Sequence, residues 1–271
     1  MEVKHRKAYV LAAVVLSLVV GMAKDSRASV GVLYYRDYIF GVDGMAAALS
    51  GLGSDYSVTT VSDSSDFETE IATGNYSLGI FFVQGFEASI YPTAINALGG
   101  FVAGGGKAIY TDWSRNNSLA FANFGVGFTG NYNQDTMTVT MPELSAGLTN
   151  PVTITTTDPG WSIYTTGLSS STTAATFANG ETAIAVSMDG RVIVNGFLSD
   201  TITDEATAVR LFQNSIHTVL GDANAVPEPT GLIIWSLLGG LGVCLRRRAD
   251  GVVARVVLSQ GITGWRSFAR T

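Results

Sequence analysis

Hydrophobic and polar positions along this chain follow two alternating rhythms. Residues 30–35 (VGVLYY) form an unbroken apolar run of buried-strand length, and residues 40–52 then place Met45, Ala48, Leu49 and Leu52 at helical spacing, with Gly51 and Gly53 as stop signals. Residues 56–61 predict a second strand, residues 66–71 a short acidic helix ended by Gly74 and Asn75, and residues 78–83 (LGIFFV) a third strand. Residues 91–102 read as an apolar helix that begins around Pro92 and stops at Gly104-Gly105-Gly106, and residues 107–111 as a fourth strand. Repeated β-α-β units of this length argue for a parallel sheet with helices on both faces.

Beyond residue 112 the rhythm changes. Residues 136–176 hold 18 Ser and Thr in 41 positions and no Lys or Arg. Within them, residues 136–141 and 152–157 alternate and are β-branched, which predicts exposed antiparallel strands. Residues 182–187 and 191–197 flank Asp189-Gly190, a tight-hairpin signal. Residues 204–220 predict a closing helix with Val209, Phe212, Ile216 and Val219 on one face. The expected fold class is α/β, a mostly parallel sheet with a Thr/Ser-rich antiparallel β extension.

The two ends read differently. Lys4, His5, Arg6 and Lys7 precede a 13-residue apolar run, residues 8–20, too short for a comfortable membrane span. Small residues at −3 and −1 occur at Gly21/Ala23 and Ser26/Ala28, and the second pair sets a signal peptide of residues 1–28. The alternative is an uncleaved N-terminal anchor. At the other end, Val226-Pro227-Glu228-Pro229 leads into a Gly-rich apolar stretch, read as a transmembrane helix over residues 230–245 and closed by Arg246-Arg247-Arg248. The Arg cluster would stay cytoplasmic and place the middle of the chain outside. Both ends therefore give one topology, that of an exported protein held at the inner membrane before sorting.

Charge sharpens this division. Only 14% of residues are charged, and residues 29–226 hold 18 acids against five cations (Arg36, Lys107, Arg115, Arg191, Arg210), a net charge of about −13. Such a balance excludes nucleic acid as a partner. The chain has one cysteine, Cys244, and two histidines, His5 and His217. That rules out an intrachain disulfide and Cys- or His-cluster metal sites. An all-oxygen Ca²⁺ site stays open in so acidic a chain, but no EF-hand-like run occurs, and neither a metal nor a cofactor is expected.

The ordered set of Pro227, Glu228 and Pro229, a short Gly-rich hydrophobic helix and the arginines 246–248 resembles the PEP-CTERM sorting signal of Gram-negative bacteria, over residues 223–248. In that family the tripeptide is the recognition element for exosortase, a membrane protease-transpeptidase. The resemblance implies exosortase and signal peptidase as partners, the cell envelope or outer surface as destination, and exopolysaccharide as the surroundings. The plain alternative is a permanent single-span anchor. Signals of this kind end within a few residues of the arginines, whereas residues 249–271 continue here as a short cytoplasmic tail or a gene-boundary artefact.

The middle, residues 29–222, is similar to the class I glutamine-amidotransferase-like domain, which is flavodoxin-like. The features that carry this are VGVLYY, LGIFFVQGF, the Gly-Gly-Gly-Lys step into KAIYTDW, and the late hairpin with its closing helix. In catalytic members a cysteine stands on the sharp turn after the strand that corresponds to residues 107–111. Here that turn reads Asp112-Trp113-Ser114, and the partner histidine is also absent, so the resemblance implies a domain without glutaminase chemistry.

In open α/β sheets ligands bind beyond the carboxyl ends of the strands. That rule selects Tyr35, Arg36 and Asp37, then Gln84, Gly85, Phe86 and Glu87, then Asp112, Trp113, Ser114 and Arg115, a mixture of aromatics, carboxylates and cations suited to sugars or small polar ligands. The bland alternative is that Arg36 and Arg115 merely offset neighbouring acids. Ser114 is a nucleophile candidate by position but needs a base, and His217 falls on the polar face of the last helix. Glu87 and Asp112 are the best carboxylate pair for glycosidic hydrolysis. Gly104-Gly105-Gly106 precedes a strand instead of opening a helix, which reads as a helix stop and not as a phosphate loop. The leading expectation is thus an exported, exosortase-sorted envelope or matrix protein, not an enzyme, with a binding or structural role. The alternative is a surface glycan hydrolase.

Overall fold

The computed structural model describes residues 29–113, 118–155, 157–158, 161–162, 165–170 and 172–221. The expected signal peptide, the sorting signal with its transmembrane helix, the tail, Ser114 and Arg115 all lie outside these residues. The chain divides into two compact units, Met1–Ala223 and Asn224–Thr271, and every described residue belongs to the first. Among the described residues no helix is long and apolar enough to cross a membrane.

Five parallel strands form the centre: β1 (Val30–Arg36), β2 (Tyr56–Val61), β3 (Leu78–Phe82), β4 (Lys107–Thr111) and β13 (Val192–Asn195). Their order across the sheet is β2-β1-β3-β4-β13. This is the flavodoxin-like doubly wound order, in which the winding reverses between the first and third strands. The apolar runs read from the sequence are buried on both faces, as a covered parallel sheet requires. Val32 and Tyr34 face one core with Ile80, Phe82, Ile109 and Ile193, while Leu33 and Tyr35 face the other with Phe81, Tyr110, Val192 and Val194.

Helices cover both faces. On the first lie α1 (Gly44–Ser50) and α6 (Glu205–Leu220), bringing Met45, Ala48, Leu49, Phe212 and Ile216, with Leu144 of the single-turn α5 (Pro142–Ser145) in the same core. On the second lie α2 (Ser64–Ile71), α3 (Pro92–Ala103) and the short α4 (Ser118–Ala122), bringing Phe67, Ile71, Leu98 and Phe121. Gly79 in β3 permits this close approach, since a Cβ there would stand 2.6 Å from Leu98 Cδ1. Aspartates set the helix starts. Asp63 accepts from the Ser65 amide, which starts α2 two residues before the expected Asp66. Asp204 accepts from the Thr207 amide and fixes the start of α6.

The first helix is shorter than the periodicity over residues 40–52 predicts. Asp43 caps it by accepting from the Ala46 amide at 2.9 Å, so the helix cannot extend back through that residue. The amides of Phe40 and Gly41 are instead given to the carboxylate of Asp200. A long-range acceptor takes the first turn away from the helix.

Beyond β13 the sheet continues in antiparallel fashion through β12 (Thr182–Ser187), β11 (Thr172–Phe177), β6 (Thr136–Val139) and β7 (Val152–Thr153). A side branch adds β10 (Thr165–Ser169) on β12 and β5 (Gly127–Tyr132) on β10. Two expectations change here. The strand read over residues 136–141 keeps its alternation, with Met137 and Val139 buried in the first core and Thr138 exposed, but it ends at Val139. The strand at residues 152–157 stops after two residues: Ile154 bridges Ile202, the Thr155 amide donates to Thr201, and the Thr203 amide donates back to Thr153. The segment is stitched to the loop before α6, which takes up the backbone groups a longer ladder would need. A separate two-stranded pair follows, β8 (Thr157–Asp158) with β9 (Trp161–Ser162).

Candidate functional site

The winding reverses between β1 and β3, and the loops after these strands meet at their carboxyl ends with the ends of β4 and β13 beside them, the position at which open α/β sheets form a ligand crevice. Three side chains brace the loops that meet there. Asp37, one residue past β1, accepts from the amides of Gln84 (2.6 Å), Gly85 (3.0 Å) and Phe86 (3.1 Å) in the loop after β3. Burial pushes its carboxyl above the usual value, against the pull of those three amides. Gln84, fully buried, donates back to the Tyr38 carbonyl (2.9 Å) and accepts both the amide (2.7 Å) and the hydroxyl (2.5 Å) of Ser199. Asp200 closes the circuit through the amides of Phe40 and Gly41, and burial raises its carboxyl too. The loops after β1, β3 and β13 are therefore tied to one another in a ring.

Arg36 and Asp43 form an ion pair beside this ring. Asp43 also accepts the Tyr34 hydroxyl (3.1 Å) while capping α1, so the guanidinium is tied to the base of the loop. The apolar side chains of the loops turn outward. Of the six large hydrophobic residues exposed among the described residues, five lie on these two loops: Tyr38, Ile39, Val42, Phe86 and Ile90. Tyr38 and Phe86 are each about half exposed. Gly85 allows Tyr38 to lie across the neighbouring loop, since a Cβ there would fall 2.6 Å from the Tyr38 Cβ, and the Phe40 ring meets Tyr38 edge-on at 4.8 Å. Rings held in this way are pre-organised surfaces for a ligand.

The residues chosen from the sequence separate into groups. Arg36, Asp37 and Gln84 are in the crevice wall. Tyr35 is not: its ring is buried in the second core, stacked on Phe81 at 4.6 Å and edge-on to Tyr91. Glu87 is exposed, while Asp112 is fully buried and accepts the Tyr110 hydroxyl at 2.8 Å. One acid of that pair is in water and the other is sealed beneath the surface. Trp113 is half-buried, and its indole N–H has no hydrogen-bond partner. His217 lies 3.4 Å from the Tyr56 hydroxyl, at the start of β2 and thus at the amino end of the sheet, away from the crevice.

Sequence reasoning missed Ser199 and Asp200. The signal was present, because both follow β13 and so stand at a carboxyl end like the others. Residues 191–197 were read as a hairpin arm, and only their parallel pairing with β4 reveals them as the fifth strand of the parallel set. Tyr38, two residues beyond the end of β1, was not singled out either, whereas Phe86 stood in the segment selected after β3.

No family model matches the chain, and no curated protein does. Among solved structures, a GMP synthase subunit of Thermoplasma acidophilum aligns at 12% identity and a TM-score of 0.49, over 74% of this chain and 100% of the other. A glutamine amidotransferase of Thermotoga maritima aligns at 11% identity and a TM-score of 0.47, over 73% of this chain and 99% of the other. At these values the likenesses add nothing to what the strand order itself shows.

Proposed function

We propose that residues 29–222 are a non-catalytic binding domain of an exported, exosortase-sorted envelope or matrix protein, with the crevice between β1 and β3 as its binding surface and exopolysaccharide as its ligand. One observation carries the binding role. Asp37 and Gln84 are taken up by hydrogen bonds within the loops, and Asp200 gives one carboxylate oxygen to the amides of Phe40 and Gly41 while its other, buried oxygen has no hydrogen-bond partner; Tyr38 and Phe86 face outward. A hydrolytic site needs acids free to exchange protons with a substrate; a binding platform needs rigid loops and exposed rings. The lack of any cysteine in residues 29–226, and an Asp-Trp-Ser turn where amidotransferases carry theirs, support the same reading. Export and sorting rest on the two ends of the sequence.

Two measurements test this. Intact mass of the native protein from fractionated cells should give a species that begins at Ser29 and ends within residues 227–229; a species that retains residues 230–271 overturns sorting. Exopolysaccharide purified from the same cells should bind the isolated native protein, and Tyr38→Ala with Phe86→Ala should weaken that binding at least tenfold, on the scale of about 1–2 kcal/mol per exposed ring lost. Unchanged binding by the double variant, or turnover of the polysaccharide by the wild type, overturns the binding role.

A further inference from the structure

The loops beyond β1 and β3 stand where open α/β sheets bind ligands, and backbone amides gathered at such loops attract anions. In this domain the chain's own carboxylates already hold those donors. Asp37 accepts the amides of Gln84, Gly85 and Phe86, and one oxygen of Asp200 accepts the amides of Phe40 and Gly41. The other oxygen of Asp200 is buried and has no hydrogen-bond partner, so no donor offsets it. An anionic ligand would be competing for positions that two internal anions fill.

Cations do not restore the balance. Among the described residues Arg36 is the one cation at these loops, and it is paired with Asp43. Lys107 begins β4 and Arg191 precedes β13, at the opposite end of the sheet, where they donate to the carbonyls of Leu220 and Val102 at 2.6 Å each. Arg210 lies on α6 beside Gly147. Glu87, meanwhile, is exposed and directly follows Phe86. An acid group brought to the Phe86 ring would therefore meet carboxylates beneath and beside it, and like charges at such distances repel. What the loops do expose is carbon: the rings of Tyr38 and Phe86 with Ile39, Val42 and Ile90. The C–H faces of sugar rings pack on aromatic surface of this kind without any charge, and their hydroxyls stay at the rim in water.

We infer that the glycan of this crevice is uncharged: neutral sugar rings lie on Tyr38 and Phe86, and glycans that carry uronic or other acid groups are turned away. The inference rests on the binding role proposed above and adds the charge class of its ligand. One polymer in two charge states tests it. Exopolysaccharide purified from the same cells is prepared with its carboxyls reduced to primary alcohols and, separately, with its primary alcohols oxidised to carboxylates. Each form is titrated into the native protein. The neutral form should bind at least about fivefold more tightly in dilute buffer, and about 0.5 M salt should narrow the gap by improving the carboxylated form alone. Glu87→Gln, a change at an exposed side chain, should also favour the carboxylated form and leave the thermal midpoint unchanged. Equal or tighter binding of the carboxylated form, or a gap that neither salt nor Glu87→Gln alters, overturns the inference and leaves the binding role standing. Binding of neither form overturns the binding role, and the inference falls with it. A concentration-dependent dimer that disappears in the Tyr38→Ala, Phe86→Ala double variant would assign the exposed carbon to a second copy of the chain and overturn both.

Discussion

Replacing Asp37 separates the loop brace from ordinary surface chemistry. In Asp37→Ala three amides lose their acceptor: those of Gln84, Gly85 and Phe86. Gln84 is buried, Gly85 half-buried and Phe86 exposed, so water can replace the carboxylate fully only at the last. An orphaned buried donor costs about 1–3 kcal/mol and a partly wetted one less, which gives about 2–4 kcal/mol in total. Asp37→Asn keeps one acceptor oxygen but turns an amide nitrogen toward one of the three donors, and it also removes a carboxylate that burial disfavours. Its net cost should be about 1–2 kcal/mol smaller than that of Ala. The pH dependence follows from the raised folded pKa of Asp37. Between the unfolded value of 3.8 and the folded value, the native state holds more protons than the unfolded one, so this group's contribution falls as pH rises through that window. Denaturant unfolding of the wild type and both variants at several pH values measures all of this. Equal stability of Asp37→Ala and wild type at pH 7, or a cost for Asn that matches Ala at every pH, would refute the brace.

Two further outcomes check the packing and the caps. Phe81 is fully buried, stacked on Tyr35 and edge-on to Phe67 at 4.9 Å, so Phe81→Ala should cost about 3–5 kcal/mol in the same unfolding assay, whereas Ala at the exposed Val58 should cost less than about 0.5 kcal/mol. Asp204 caps α6, and its bonds to the Thr207 side chain and amide lower its pKa below 3.8. Its contribution is therefore complete above 3.8 and lost as pH falls through the lower folded value, so thermal scans of Asp204→Ala should lie below the wild type at pH 7 and converge with it in acid.

The parallel half of the fold was legible because each strand carries its own signal. β2 and β4 have the bounds read from the sequence, and β1 and β3 differ by one residue, since continuous apolar runs between Gly, Asn and Asp are local features. The antiparallel half was less so. β5 (GFTGNY), β10 (TTGLS) and β11 (TTAATF) are rich in Thr, Gly and Ala, with neither an apolar run nor clean alternation, and their pairing comes from neighbours distant in sequence. Context overrides a weak β preference in such strands. The β11–β12 ladder also shifts register twice, which blurs any period of two.

The crevice was half legible for a related reason. That it lies beyond β1 and β3 follows from the order of elements, and Asp37 and Gln84 could be named from it. What those residues do could not, because their partners are far away in sequence: Asp37 reaches 47 to 49 residues ahead, Gln84 reaches 115, and Asp200 reaches back 160. A carboxylate at a strand end looks the same in a sequence whether it will meet a substrate or a row of amides. The distinction matters for function. If Asp37 and Asp200 were open to solvent, the crevice would offer acids for chemistry; Asp37, committed to Gln84, Gly85 and Phe86, and Asp200, with one oxygen committed to Phe40 and Gly41, instead brace the loops that present Tyr38 and Phe86. The exposed rings and the buried acids are thus two sides of one arrangement, and a substitution that frees the acids should also loosen the rings.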